Sequence, residues 1–306
     1  MVRFIMCNYT IIYGILNHMK YKFSSPLLPF SHYIISFFTI QILWAVGGNY
    51  ITQQLLYITQ TSLYAANPIL LYGIQHANFF FLLIVLIIFI RIVSRTSFLS
   101  FISDYQKFNY KGLLLGMSVW LIAMIVNSIF TIIFFDEILI THYIDDINIH
   151  LLMFFVALIC SPVQALGEEI LFRALFYRAF NHVKVHKYLV ALISAILFTL
   201  AHSLNAELKM ENSFFLVLTY YFLSGFFFML IVYHHKGIEV ALGAHIMNNF
   251  YIATIMNYRH SSIISHPFFI INETNIYLDI ILLILSSLIL LIIPAIKSND
   301  HIEAIE

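Results

Sequence analysis

The chain has 306 residues, of which 61% are hydrophobic and only 10% are charged, and its formal net charge at pH 7 is zero. Soluble domains carry roughly a quarter charged residues, so this composition, with a mean hydropathy of +0.91, excludes an ordinary soluble domain and indicates a polytopic membrane protein. The neutral balance and the lack of a long basic run argue against a nucleic-acid partner. The lipid bilayer is the first predicted partner.

The apolar runs predict an all-α fold, a bundle of about eight transmembrane helices. A helix that crosses a bilayer needs about 20 predominantly apolar residues. Runs of this kind lie at 30–48, 74–92, 112–135, 149–172, 188–204, 213–233, 238–257 and 276–296. Gly47, Gly48 and Asn49 are expected to end the first span early, and the mildly apolar stretch 51–71 is expected to be re-entrant or interfacial.

The N-terminal 25 residues are predicted not to be a cleaved signal peptide, because their apolar run is short, is broken by Asn8 and Asn17, and lacks a small-residue cleavage site. Cys7 and Cys160 are far apart in sequence and are read as apolar filler rather than as a disulfide or a metal pair.

Lys and Arg residues collect in alternate connections, which predicts that both termini face the cytoplasm. The basic connections are those before the first span and after the second, fourth and sixth spans. The connection Thr96–Tyr110 alternates aromatic and polar residues and is expected to lie along the inner surface as an amphipathic helix.

The charged stretch Gly167–Arg173 interrupts apolar sequence near the end of the fourth predicted span. An ionisable side chain at the bilayer centre costs about 3 kcal/mol on insertion scales, so an adjacent acid pair there is a functional-site hypothesis. Glu169 and Arg173 have the i,i+4 spacing of a helical ion pair. Neighbouring helical residues point about 100° apart, so Glu169 is assigned to the ion pair, Glu168 to the open site, and the two are not expected to reach one centre.

Two further motifs follow, Phe198–His202 and His245–Asn249. If the fourth helix continues to about Phe180, Glu168 lies about 18 Å before the turn and His202 about 21 Å after it, at 1.5 Å per residue. Antiparallel neighbours would therefore place them at one depth. His245 and Asn249 share one helix face because they are four residues apart.

The remaining polar residues are expected to have structural rather than catalytic roles. The other histidines, His76 among them, fall mainly at span ends or in loops and are expected to be interfacial. Asn248 is expected to form a hydrogen bond to a neighbouring helix. Asp279 has no obvious partner in the sequence and is expected near the outer end of the last span.

Taken together, the motifs resemble those of the CAAX protease and bacteriocin-processing family, also called CPBP or Abi, of intramembrane endopeptidases. That family carries Glu-Glu-x-x-x-Arg, Phe-x-x-x-His and His-x-x-x-Asn or Asp, which stand here as Glu168-Glu169-x-x-x-Arg173, Phe198-x-x-x-His202 and His245-x-x-x-Asn249. Ala174 stands where a Gly often follows the motif's Arg. The resemblance implies a catalytic core at 149–257, preceded by about three N-terminal spans at 1–148 and followed by a last span and short tail at 258–306.

The resemblance implies hydrolysis of peptide bonds in a membrane-associated protein or peptide substrate. Glu168, with His202, would activate a water as general base, and His245 and Asn249 would donate hydrogen bonds to the oxyanion. Glu169, Arg173 and Phe198 would give structural support. No cofactor is predicted on this favoured mechanism. The alternative is a zinc-dependent protease with Glu168, His202 and His245 as ligands, since two His and a carboxylate with an open position also describe a catalytic zinc site.

Two other functions stay open at this point. The chain could be a noncatalytic membrane scaffold or bacteriocin-immunity protein that keeps the protease fold, which the intact motif set argues against. A proton-coupled transporter would be expected to show internal repeats and broken helices, and neither is visible in the sequence. The richness in Phe, Ile, Tyr, Asn and Lys favours an AT-rich bacterial genome, hence the plasma membrane of a bacterium.

Overall fold

The computed structural model describes residues 28–60, 67–134, 147–209, 214–272 and 274–295. The predicted all-α fold is confirmed, since most of these residues lie in helices. Nine helices follow one another in this part of the chain: α1 (Phe30–Ile58), α2 (Pro68–Val93), α3 (Phe98–Ile102), α4 (Tyr110–Phe134), α5 (Ile147–Asn181), α6 (Lys187–Ala201), α7 (Phe214–His235), α8 (Glu239–Thr254) and α9 (Ile276–Ile292).

Five of these helices, α1, α2, α4, α5 and α7, are long and apolar enough to cross a membrane. The helices α6, α8 and α9 have 15, 16 and 17 residues, which is short for a crossing of about 20 residues. Each of the eight predicted spans overlaps one of these eight helices. The predicted orientation of the termini stays a prediction, and the predictions for residues 1–27, including Cys7, lie outside the described residues.

The predicted end of the first span was wrong, because α1 continues to Ile58 through one π-helical turn at Trp44–Gly48. A Cβ atom on Gly47 would lie 2.6 Å from the ring of Phe81 on α2. Here glycine permits close packing of two helices rather than ending one. The re-entrant segment predicted at 51–71 is therefore helical at 51–58 and 68–71, and residues 61–66 lie outside the described residues.

The amphipathic surface helix predicted at Thr96–Tyr110 was also wrong. Only Phe98–Ile102 is helical, and Phe101 and Ile102 are buried. The segment packs into the fold because Asp104 pairs with Arg178 of α5 at 2.5 Å and Ile102 accepts a backbone hydrogen bond from Ile238, just before α8.

At the centre of the bundle, α5 runs past the motif as predicted, with a π-helical turn at Ile170–Ala174 directly after Glu169. Every residue of that turn is buried. Turns of this kind are frequent at functional sites. Cys160, earlier in α5, is buried, and its filler role stays a prediction.

Close contact between α4 and α8 fixes the position of the third motif. A Cβ atom on Gly116 would lie 2.0 Å from the carbonyl oxygen of Val240, and one on Gly243 would lie 2.0 Å from that of Leu113. The two helix backbones therefore touch at a pair of glycines. After α8, a small parallel sheet that the sequence did not predict pairs β1 (Met256–Tyr258) with β2 (Phe269–Ile271).

Candidate active site

The structure brings the three motifs to one place inside the bundle. Glu168 comes from α5, His202 follows the last residue of α6, and His245 lies on α8. Glu168 Oε2 lies 3.8 Å from His202 Nε2 and 3.6 Å from His245 Nε2. Antiparallel packing of α5 and α6 thus produces the shared depth that the helical rise predicted.

Both histidines are held in one orientation by their other ring nitrogen. His202 Nδ1 lies 2.8 Å from the carbonyl oxygen of Phe198, and His245 Nδ1 lies 2.8 Å from Glu169 Oε1. Because both partners are acceptors, each Nδ1 carries a proton. Each ring therefore turns its Nε2 toward Glu168.

Glu168 has one oxygen engaged and one left free. Its Oε1 accepts a hydrogen bond from Gln164 Nε2 at 3.2 Å. Its Oε2 is buried and has no hydrogen-bond partner within the described part of the chain. A buried carboxylate oxygen is costly to leave unpaired, so Oε2 is suited to receive a proton from a bound water or substrate.

Glu169 does more than the ion pair that the sequence assigned to it. It lies 3.3 Å from Arg173 Nη1, as the spacing predicted, and it also accepts the hydrogen bond from His245. The prediction that Glu168 and Glu169 serve separate centres was wrong. The two side chains approach His245 from its two different ring nitrogens, so adjacent helical residues can contact a single partner.

The motif residue Phe198 has two contacts that explain its place. Its ring lies 4.2 Å from the guanidinium carbon of Arg173, with the ring of Phe228 at 5.6 Å, while its carbonyl oxygen holds His202. Arg173 is fully buried. A desolvated cation–π contact contributes about 2 kcal/mol, which helps to stabilise this buried cation beside Glu169.

Asn249 presents a free donor to the same site. Trp120 Nε1 donates to Asn248 Oδ1, and Asn248 Nδ2 donates to Asn249 Oδ1, each at 3.1 Å. The carbonyl of Asn249 is thereby occupied, and its buried Nδ2 has no partner in the described chain. A fixed and unpaired amide donor is what an oxyanion site needs.

Sequence reasoning missed Gln164 and His76. His76 Nδ1 lies 2.7 Å from the carbonyl oxygen of Tyr72, and its Nε2 lies 3.1 Å from Gln164 Oε1. His76 is buried on α2 rather than interfacial, so that prediction was wrong. Gln164 could have been found, because it precedes Glu168 by one helical turn and shares its face.

These side chains border a cavity of about 630 Å³ that also reaches Asn257, Tyr258 and Asp279. Binding pockets for small ligands span about 300–1,000 Å³, so this cavity can hold several residues of an extended peptide. Tyr258, in β1 outside the helices, donates to Glu207 at 3.1 Å, and burial raises the pKa of its phenol. The phenol of Tyr258 therefore stays neutral and remains a hydrogen-bond donor at this wall of the cavity.

The side chains at the site are of the types that bind zinc, but their arrangement does not match a zinc site. Glu168 Oε2 and the Nε2 atoms of His202 and His245 are ligands that zinc accepts, and the Nδ1 contacts resemble the partners of metal-bound histidines. As placed, however, the side chains of the described residues form no group of three His, Cys, Asp or Glu arranged to hold a metal ion.

Comparison with known proteins agrees with the motifs. Residues 148–251 match the family model described as type II CAAX prenyl endopeptidase Rce1-like. The segment that holds the site is therefore similar to that family. The predicted family resemblance is thus confirmed over this third of the chain, and at family level the match supports a CAAX-type intramembrane protease.

A curated relative is similar over a longer stretch. The uncharacterized protein YyaK of Bacillus subtilis (strain 168) is 22% identical over 198 residues, which is 64% of this chain and 64% of YyaK. The match thus spans less than two thirds of that relative's length. No solved structure matches the chain.

Proposed function

We propose that this protein is an intramembrane endopeptidase that hydrolyses peptide bonds with a water activated by Glu168. One observation carries the proposal. The unpartnered Oε2 of Glu168 faces the Nε2 atoms of two histidines at 3.6 and 3.8 Å, inside a cavity large enough for a peptide. The Rce1-like match over the same segment gives independent support.

In the proposed reaction, a water lies beside Glu168 Oε2 and is oriented by His202 Nε2. As its oxygen bonds to the scissile carbonyl carbon, one water proton moves to Glu168. The carbonyl oxygen becomes an oxyanion and accepts a hydrogen bond from Asn249 Nδ2. The intermediate then collapses, the C–N bond breaks, and Glu168 passes its proton to the leaving amine.

His245 can help to stabilise the oxyanion only when both of its ring nitrogens carry a proton. Its Nδ1–H already donates to Glu169, so Nε2 can donate to the oxyanion only when the ring is an imidazolium. The hydrogen bond to Glu169 fixes the ring so that Nε2 lies 3.6 Å from Glu168 Oε2, at the place where the oxyanion would form. This geometry supports the oxyanion role given to His245 by the family resemblance.

We further propose a membrane-associated protein or peptide as the substrate, the plasma membrane of a bacterium as the location, and cytoplasmic termini. The apolar helices and the Rce1-like segment support action at the membrane, and the similarity to a Bacillus subtilis protein supports the bacterial setting. In the zinc-dependent alternative, Glu168, His202 and His245 would hold a metal that polarises the attacking water.

The test is cleavage of a peptide library by the detergent-purified protein and by its Glu168→Gln variant. Loss of cleavage in the variant is expected, since an amide cannot accept the water proton. Glu207→Gln is the matched control, because Glu207 borders the same cavity but has both oxygens hydrogen-bonded by Tyr258 and Ser262.

Equal cleavage by wild type and Glu168→Gln would overturn the proposed mechanism. The absence of any cleavage, together with a cellular phenotype that Glu168→Gln fully restores, would overturn the enzyme assignment in favour of a noncatalytic scaffold or immunity protein.

A further inference from the structure

The proposed substrate cavity is also bordered by a carboxylate far from the motifs, Asp279. It lies in the first turn of α9 and borders the same cavity as Glu168, while its predicted place at the outer end of the span stays a prediction. Asp279 Oδ1 accepts a hydrogen bond from Asn127 Nδ2 at 2.5 Å, and the Thr274 side chain also hydrogen-bonds to Asp279. Among the ion pairs of the described residues, none involves Asp279.

The other carboxylates that border the main cavity are Glu168, the proposed base, and Glu207, which is hydrogen-bonded through both oxygens by Tyr258 and Ser262. Asp279 differs from both because it also borders a small side cavity. A carboxylate that lies among apolar helices without a cation is costly. A cation supplied from outside would therefore be strongly favoured there.

A small side cavity next to Asp279 sets the size of that cation. Its volume is about 20 Å³, and its polar wall is formed by Asn127, Tyr220 and Asp279. A cavity of at least about 10–15 Å³ holds one water, so this one admits a single ammonium-sized group. A planar guanidinium, with three nitrogen atoms, is too large for it.

The aliphatic stem of that cation can lie in the main cavity, because Trp120, Met124 and Tyr220 border both cavities. The apolar wall of the side cavity includes Ala123, Met124, Leu282 and Leu283. Lysine packs its methylene chain against apolar surface while its ammonium reaches a polar group. Trp120 and Tyr220 add aromatic faces that attract a cation.

The distance between Asp279 and the proposed catalytic groups can be estimated along helix α4, which contacts both. Its Trp120 contacts Asn248, next to the oxyanion donor Asn249, and its Asn127 contacts Asp279. Trp120 and Asn127 are separated by about 10 Å along the helix axis at 1.5 Å per residue. An extended peptide covers that distance in about three residues, at about 3.3 Å each.

We propose that Asp279 forms a substrate subsite that binds the side-chain ammonium of a lysine about three residues from the scissile bond. The subsite rests on the proposed peptidase function and adds a sequence preference to it. Lysine is bound in preference to arginine, and a peptide with an uncharged residue at that position is bound more weakly.

The first experiment measures binding without cleavage. The Glu168→Gln protein in detergent is titrated with N-acetylated, fluorescein-labelled apolar decapeptides in which one lysine is moved along the chain, with norleucine or arginine as replacements. Acetylation removes the terminal amine as a competing cation. The anisotropy is expected to show tighter binding of one lysine register.

Removal of the Asp279 charge tests the assignment directly. Asp279→Asn, added to Glu168→Gln, keeps a carbonyl oxygen that can accept the hydrogen bond from Asn127. It is expected to weaken binding of the lysine peptide by about 10-fold to 100-fold, the range for loss of a charged hydrogen bond. The norleucine peptide should bind as before. Glu207→Gln should retain the lysine preference, since Glu207 is already fully hydrogen-bonded.

Equal affinity for lysine and norleucine peptides in every register, or an unchanged lysine preference in Asp279→Asn, would overturn the subsite. Cleavage by the wild-type enzyme separates this failure from failure of the proposed function. Cleavage without a lysine preference leaves the peptidase and removes the subsite. Lysine-selective binding that depends on Asp279, without any cleavage, leaves the subsite and removes the peptidase.

Discussion

Glu169 holds His245 in a single orientation through the 2.8 Å hydrogen bond between its Oε1 and His245 Nδ1. The same carboxylate oxygen lies 3.3 Å from Arg173, which is fully buried. The second glutamate of the motif therefore links the buried cation to His245. Stability and the proposed activity are expected to be coupled at this residue.

Glu169→Gln is expected to lower both the melting temperature and the rate of peptide cleavage. Loss of one partner of a buried ion pair typically destabilises a protein by about 3–5 kcal/mol, and the amide accepts a weaker hydrogen bond from His245 than the carboxylate does. Thermal unfolding in detergent and kcat/KM measure the two effects. In Glu169→Gln/Arg173→Met, which removes both charges, the melting temperature should recover while activity stays low; recovery of activity would contradict the role given to the His245 contact.

Asn249→Ala is expected to lower kcat by about 100-fold to 1,000-fold with little change in KM, the usual effect of removing one oxyanion donor. Steady-state kinetics on a cleaved library peptide measure it. Asn248→Ala is the matched control, because Asn248 only orients Asn249, and its effect on kcat should be smaller. Equal losses in the two variants would argue against a direct donor role for Asn249.

Gly116→Ala is expected to destabilise the protein by about 1–3 kcal/mol, as overpacking does. Its new Cβ would lie 2.0 Å from the Val240 carbonyl oxygen, so α4 and α8 would have to separate. Gly73→Ala is the control, since nothing lies within 4 Å of a Cβ there and alanine is the better helix former by about 1 kcal/mol. Melting temperatures compare the two; similar values would contradict the close packing of α4 on α8.

Chelation separates the two hydrolytic mechanisms. Cleavage is expected to persist in 1,10-phenanthroline, since Glu168 is proposed to act as the base without a metal. The non-chelating isomer 1,7-phenanthroline serves as the control for the solvent and the aromatic ring. Loss of cleavage with the chelator alone, restored by added zinc, would favour the zinc-dependent form with Glu168, His202 and His245 as ligands.

Much of this site could be predicted from the sequence because its motifs obey helical geometry. The i,i+4 spacing gave the pair of Glu169 and Arg173, and the helical rise gave the shared depth of Glu168 and His202. Both are local properties of helices and depend little on how the bundle is assembled. The positions of the eight apolar helices followed from hydropathy for the same reason.

Contacts between helices could not be predicted in this way. The depth of His245 depends on where α8 begins, and that start is buried against the segment at Ser103 through a backbone bridge to Gly237. His76 reaches the site only because α2 packs on α5 and Gln164 joins them. Asp279 borders the same cavity as Glu168 only because α9 packs beside α4.

The sequence alone thus determined the membrane class, the helices and the seven residues of the motifs, because composition and spacing along a helix can be read directly from the order of the residues. Only the tertiary structure decided which oxygen of Glu168 is free, which nitrogen of each histidine faces it, and which distant polar side chains share the cavity. Those relationships depend on the packing of helices far apart in sequence, which is set by close contacts such as that between Gly116 and Val240.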